Sequence, residues 1–220
     1  MIKKVFWVCA GVLLIPACAG FSYAFYEQLT LPRRVGEPEV ALLLGISAYL
    51  ALHVLFGAPN KAYVFGHELT HATAAWMSGG QVKGFKVSAT KGSVVTNKVT
   101  GFIALAPYMI PVYAVLVALA YGVAGLFWNV RTLMSWFLFG MGMSLAFHLV
   151  FTVEALKQKQ TDLDVLGPIL SVGLIFWANI TFVVGILSLV SPEVRFWSYL
   201  AGGWQASADI YTGIFRQIFR

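Results

Sequence analysis

The chain has 220 residues, 59% of them hydrophobic and only 11% charged, with 15 lysines and arginines against 9 acidic residues. A mean hydropathy of +0.78 excludes an ordinary soluble globular domain. The net charge of +6 is spread along the chain, which argues against a nucleic-acid partner and fits a protein in contact with a lipid bilayer.

The apolar runs predict an all-α polytopic membrane bundle of about six transmembrane helices, forming a single domain over residues 1–220. Lys3 and Lys4 precede a run from Val5 to Tyr23 that continues through Phe25. That is longer than a signal-peptide core and predicts an uncleaved first helix. Cys9 and Cys18 both lie in this run and suggest neither a disulfide framework nor a thiolate metal site. Residues 27–39 read as a polar loop with Pro32, Arg33, Arg34 and Pro38. Its arginines oppose the orientation that Lys3 and Lys4 favour, so the topology stays open. A second span covers about residues 40–56 and holds His53, expected to hydrogen-bond between helices. Gly57-Ala58-Pro59-Asn60 ends it.

The third helix, about residues 61–77, carries Gly66-His67-Glu68-Leu69-Thr70-His71-Ala72 and ends at Ser78-Gly79-Gly80. Residues i and i+4 share a helix face, so His67 and His71 aim at one point and can hold a zinc ion, Zn2+. Glu68 lies beside that point, placed to take a proton from an attacking water and return one to a leaving amine.

Residues 81–100 hold Lys83, Lys86, Lys91 and Lys98 and alternate in a strand-like way. Phe85, Val87 and Ala89 point to one face, Lys91-Gly92 turns the chain, and residues 93–99 return it as a small β-hairpin. Its free edge offers pairing to an extended substrate. A fourth span, about residues 101–125, contains Pro107 and Pro111, which free backbone carbonyls and predict a kink. A fifth runs from about 132 to 153, with Gly140-Met141-Gly142 for close helix approach and His148 near its end.

Zinc held by two histidines needs a third protein ligand and an open position. Asp162 and Asp164 are the carboxylates offered beside a membrane helix. Thr161 and Asp164 fit a helix-capping pattern, which leaves Asp162 as the preferred ligand. The sixth span covers about residues 165–190, with Asn179 expected to bond within or between helices. Residues 193–220 form an amphipathic tail. Ile210, Tyr211, Ile214, Phe215, Ile218 and Phe219 make one stripe, with Arg216 and Arg220 four apart, for a helix on the membrane surface or packed on the bundle.

The His-Glu-Leu-Thr-His motif, the Gly-Gly turn, the lysine-bearing hairpin and the late aspartate together resemble the site-2 protease family of intramembrane zinc metallopeptidases. The likeness covers about residues 61–190 and is greatest to the compact, mainly bacterial type. There a Gln-Thr-Asp-Leu stretch opens a late helix, as Gln160-Thr161-Asp162-Leu163 does here. The resemblance implies zinc on His67, His71 and Asp162, with Glu68 as catalytic base. It implies hydrolysis of a membrane-protein or membrane-associated peptide substrate, in what is expected to be the bacterial inner membrane. Other members carry Leu-Asp-Gly; here Leu163-Asp164 is followed by Val165, and alignment on that pattern selects Asp164. A non-catalytic membrane scaffold or chaperone with a structural zinc is the alternative. The sequence does not set the oligomeric state.

Overall fold

The computed structural model describes residues 2–31 and 35–219. Pro32, Arg33, Arg34 and Arg220, which entered the topology and tail readings, lie outside the described residues. The described residues are mostly helical, with eight α-helices and one two-stranded hairpin. Four of the described helices are long and apolar enough to cross a membrane, or five if a bent pair counts as one span. Contacts divide the chain into two compact units.

One unit holds α1 (Ile2–Thr30), α7 (Pro168–Val190) and α8 (Phe196–Ile218). Gly11 of α1 faces Ile169 and Leu170 at the start of α7, and Phe21 meets Trp177 edge-on at 5.6 Å, so α1 and α7 run parallel. The tail packs on α1, antiparallel to it, from Gln28 to Leu13. Gln28 accepts from the Arg195 amide at one end, Ser207 sits on Gly20, and the Tyr211 hydroxyl donates to the Leu13 carbonyl at the other. Asn179 donates to the Ile175 carbonyl of its own helix at 2.8 Å.

The other unit holds α2 (Glu37–Phe56), α3 (Asn60–Met77), β1 (Val82–Val87), β2 (Gly92–Thr96), α4 (Gly101–Met109), α5 (Val112–Phe127) and α6 (Met134–Leu156). It closes with a 3-10 turn over Thr161–Val165. Helices α2 and α6 run parallel in contact, from Ser135 on Glu37 to Glu154 on His53. Small residues allow this: a Cβ on Gly45 would strike the Phe139 carbonyl, and one on Gly142 would lie 3.0 Å from the Ile46 nitrogen. His53 has the expected interhelical role, with Nε2 3.2 Å from Glu154 and Nδ1 3.1 Å from the Tyr49 hydroxyl.

Three sequence readings change. First, α3 is 18 residues long and is not among the helices that qualify as membrane spans, because its His, Glu, Thr and Lys residues lower its hydropathy. Second, the hairpin turns at Ser88–Lys91, and Gly92 is already in β2, opposite Val87. The Ser88 hydroxyl closes that loop by donating to the Lys91 carbonyl at 2.7 Å and accepting from the Lys91 amide at 3.0 Å. Third, α7 begins at Pro168 after Gly167, whose φ of 79° suits glycine and breaks the chain direction. Asp162 therefore sits in the 3-10 turn rather than in the first turn of α7.

Candidate metal centre

The path from sequence to site begins with α3. Apart from Glu68, its buried residues are small: Gly66, Thr70, Ala72, Ala74 and Ala75. Ala74 and Ala75 pack with Ile103 and Ala106 of α4, which brings α4 close alongside. Thr70 satisfies its hydroxyl on the Gly66 carbonyl at 2.7 Å. Gly66 in turn leaves room for the Tyr113 ring, whose hydroxyl donates to the Ala62 carbonyl at 2.6 Å.

Pro107 then supplies what His71 needs. Within α4 the Ile103 carbonyl would normally accept from the amide of residue 107, four positions on. Proline has no amide hydrogen, so that carbonyl is released. His71 Nδ1 takes it at 2.8 Å. A carbonyl only accepts, so Nδ1 carries the hydrogen and Nε2 turns a lone pair toward the site. On the other histidine, Nδ1 of His67 lies 3.4 Å from the Tyr63 hydroxyl, and Tyr63 is held by stacking on Phe151 at 4.4 Å. Pro111 gives the expected kink: α4 and α5 meet at a 74° bend across Ile110 and Pro111.

His67, His71 and Asp162 come together as one group that could hold a metal ion. The two Nε2 atoms are 3.2 Å apart, and Asp162 Oδ2 lies 3.7 Å from His67 Nε2 and 3.6 Å from His71 Nε2. Tetrahedral ligands at zinc bond lengths of ~2.0–2.1 Å lie roughly 3.3 Å from one another, so the three donors fit such an ion. No further His, Cys, Asp or Glu among the described residues joins the group. Asp164 is exposed and is not brought to the donors, and His148 lines a separate small cavity behind His67.

Asp162 has a partner that the sequence reading missed. The Tyr108 hydroxyl donates to Asp162 Oδ2 at 2.9 Å and also approaches Gln160 Oε1 at 3.4 Å. Tyr108 is 1% exposed, and its ring lies 5.2 Å from that of His67. The only sequence signal was its place directly after Pro107. Burial pushes the Asp162 carboxyl up, but the two imidazoles and the Tyr108 hydroxyl outweigh burial and hold it well below the usual carboxylate range. Glu68 goes the other way. Burial raises its carboxyl above the ordinary value, the neighbouring His67 and His71 oppose this, and the Asp162 charge adds to it.

The group opens onto a cleft of about 420 Å³. His67, Glu68, His71 and Asp162 form one wall, and Gly92, Ser93, Val94 and Thr96 of β2 form another. The hairpin is anchored at its base, where Gln81 and Asn97 exchange bonds of 2.7 and 3.3 Å and the Lys98 ammonium donates to the Ser78 carbonyl. Chemically, two histidines and one carboxylate could hold a metal ion, with a second acid, Glu68, beside them and a cleft in front. Compared with known proteins, no family model, no curated protein and no solved structure matches the chain.

Proposed function

We propose that this chain is a zinc metalloprotease that cleaves peptide bonds in or next to membrane-spanning segments. The reading joins the His-Glu-Leu-Thr-His motif, and with it the resemblance to site-2 proteases, to a membrane protein of four or five spans. The observation that carries it is the donor spacing of 3.2–3.7 Å among His67, His71 and Asp162, with Glu68 in the same cleft wall. Three protein ligands with a position left over are what a catalytic zinc uses, whereas a structural zinc is closed by four.

Zinc bound there would supply Lewis acidity to the scissile carbonyl and to the attacking water. The chain does the rest. His67 and His71 present Nε2, with the His71 tautomer fixed by Ile103. Asp162 contributes the third donor, held by Tyr108. Glu68 takes the proton of the attacking water and passes a proton to the departing amine. Water reaches the group through the cleft, so the charged side chains are not stranded in hydrocarbon. The free edge of β2 along the cleft suits an extended peptide, which matters because a helix must be unwound before it is cut. The bacterial inner membrane is the location this reading implies.

The test is to incubate the purified protein with detergent-solubilised membranes of its host and to map new polypeptide termini by mass spectrometry. Wild type is expected to generate termini in membrane proteins that Glu68→Gln does not, although Glu68→Gln still binds zinc. His67→Ala is expected to lose both properties. Termini that persist in Glu68→Gln would remove Glu68 from the mechanism. Zinc-loaded wild type that generates none would favour the scaffold with a structural zinc.

A further inference from the structure

We infer that Gly92 is a positioning residue for the carboxylate of Glu68, so that the first residue of β2 belongs to the catalytic apparatus. The inference rests on the protease reading for its functional consequence but on geometry alone for its structural one. A Cβ built on Gly92 would strike Glu68 Cγ and lie 2.6 Å from its Oε1 and 2.8 Å from its Cδ. Real Cβ atoms do not come that close, so the space filled by the Glu68 carboxylate is space that only glycine leaves.

The glycine is not required by backbone conformation. Gly57, Gly79 and Gly167 are the described glycines with positive φ, and Gly92 is not among them. Nor does the turn explain it, because Ser88–Lys91 makes the turn and Gly92 is paired with Val87. What remains is the close approach of backbone to the acid. The other hairpin glycine gives the contrast: a Cβ on Gly84 would meet Val95 at 3.5 Å, an ordinary contact.

Glu68 is 8% exposed on α3 and lines the cleft opposite β2. A methyl group at position 92 must therefore push the carboxylate along the cleft wall or lift the hairpin. Either shift moves the proton acceptor relative to the point on which His67, His71 and Asp162 converge. The three atoms nearest a Cβ at position 92 all belong to Glu68 and none to His67, His71 or Asp162, so metal binding is expected to persist.

Two readouts test this. In an experimental structure of zinc-loaded Gly92→Ala, the Glu68 carboxylate is expected to be displaced, with His67, His71 and Asp162 in place. A carboxylate in its wild-type position overturns the inference whether or not the protein is a protease. Where the wild type produces Glu68-dependent termini, Gly92→Ala is expected to slow their appearance by roughly 10–100-fold at unchanged zinc content, since a displacement of about 1 Å can cost that much. Gly84→Ala is expected to stay near the wild-type rate. Glu68→Asp, which is shorter by one methylene, combined with Gly92→Ala is expected to cost less than the product of the two single losses. Wild-type rates in Gly92→Ala, strictly multiplicative losses in the pair, or loss of zinc with Gly92→Ala would each contradict the positioning role. Absence of Glu68-dependent termini in wild type would overturn the protease reading and leave the displacement to be judged by the structure.

Discussion

At the scale of single residues, the site is a set of donors whose orientations are fixed by groups that do not touch the metal position. His71 is turned by a carbonyl that Pro107 released, and Asp162 is held by Tyr108. Partners of this kind commonly account for ~10–100-fold in metal affinity. Tyr108→Phe removes only the hydroxyl and keeps the ring that packs beside His67. It is expected to weaken zinc binding within that range, measured by competition with a chromogenic chelator. Unchanged affinity would show that Asp162 keeps its position without the phenol. Some of this was legible in the sequence. The His-Glu-x-x-His spacing is local, and a helix converts it directly into a shared face. The prolines announced freed carbonyls. Which carbonyl would meet which histidine was not legible, because Ile103 and His71 are 32 positions apart and meet only through the packing of α4 on α3. Tyr108 reads in sequence as an ordinary core aromatic.

At the scale of elements, close approach through small residues does much of the work. Helices α2 and α6 touch through Gly45 and Gly142, where a Cβ would meet the facing backbone. In a bilayer, helices gain little from burying apolar surface and depend on packing contacts of this type. Gly142→Val is therefore expected to destabilise the protein by about 1–3 kcal/mol, read as a lower unfolding temperature in detergent. Gly122→Ala on α5 is the matched control. Nothing lies within 4 Å of a Cβ there, and helix propensity favours alanine, so no loss is expected. A Gly142→Val protein as stable as wild type would mean that the α2–α6 contact gives way easily. The elements themselves were largely readable from hydropathy runs and Gly/Pro punctuation. The errors fell where tertiary or short-range polar bonding decides. Lys91-Gly92 looked like the turn, but Ser88 makes it. The start of α7 waits for Gly167 and Pro168 because the preceding residues are taken up in the turn that delivers Asp162.

At the scale of the whole molecule, helix direction limits the number of membrane crossings. Helices α2 and α6 are both long and apolar enough to span, and they run parallel. Two parallel spans enter from the same face, so an odd number of crossings must connect them. Helix α4, with 9 residues, is far short of the ~20 that a crossing needs. If α3 and the bent α4–α5 pair both crossed, the number would be two. By hydropathy the bent pair qualifies as a crossing and α3 does not, and with the pair as the single crossing α3 would begin and end on one face. Counted this way, the described helices offer five spans rather than the six expected from sequence, and α3 is not one of them. The error came from treating α3 as one more apolar run, although its apolar residues are diluted by the metal motif. Single cysteines at Ala58 and Lys91, in a background with Cys9 and Cys18 replaced by alanine, test the point with a membrane-impermeant maleimide on sealed vesicles. Both positions are expected to label from the same side. Labelling from opposite sides would make α3 a span and the α4–α5 pair re-entrant.

All three scales meet in the candidate metal centre, and zinc content tests it most directly. The measurement is metal analysis of detergent-purified, folded wild type beside Asp162→Ala and Asp164→Ala. The account predicts about one zinc per chain in wild type and in Asp164→Ala, and loss of it in Asp162→Ala. Wild type that folds without binding zinc, or loss of zinc in Asp164→Ala alone, would contradict it.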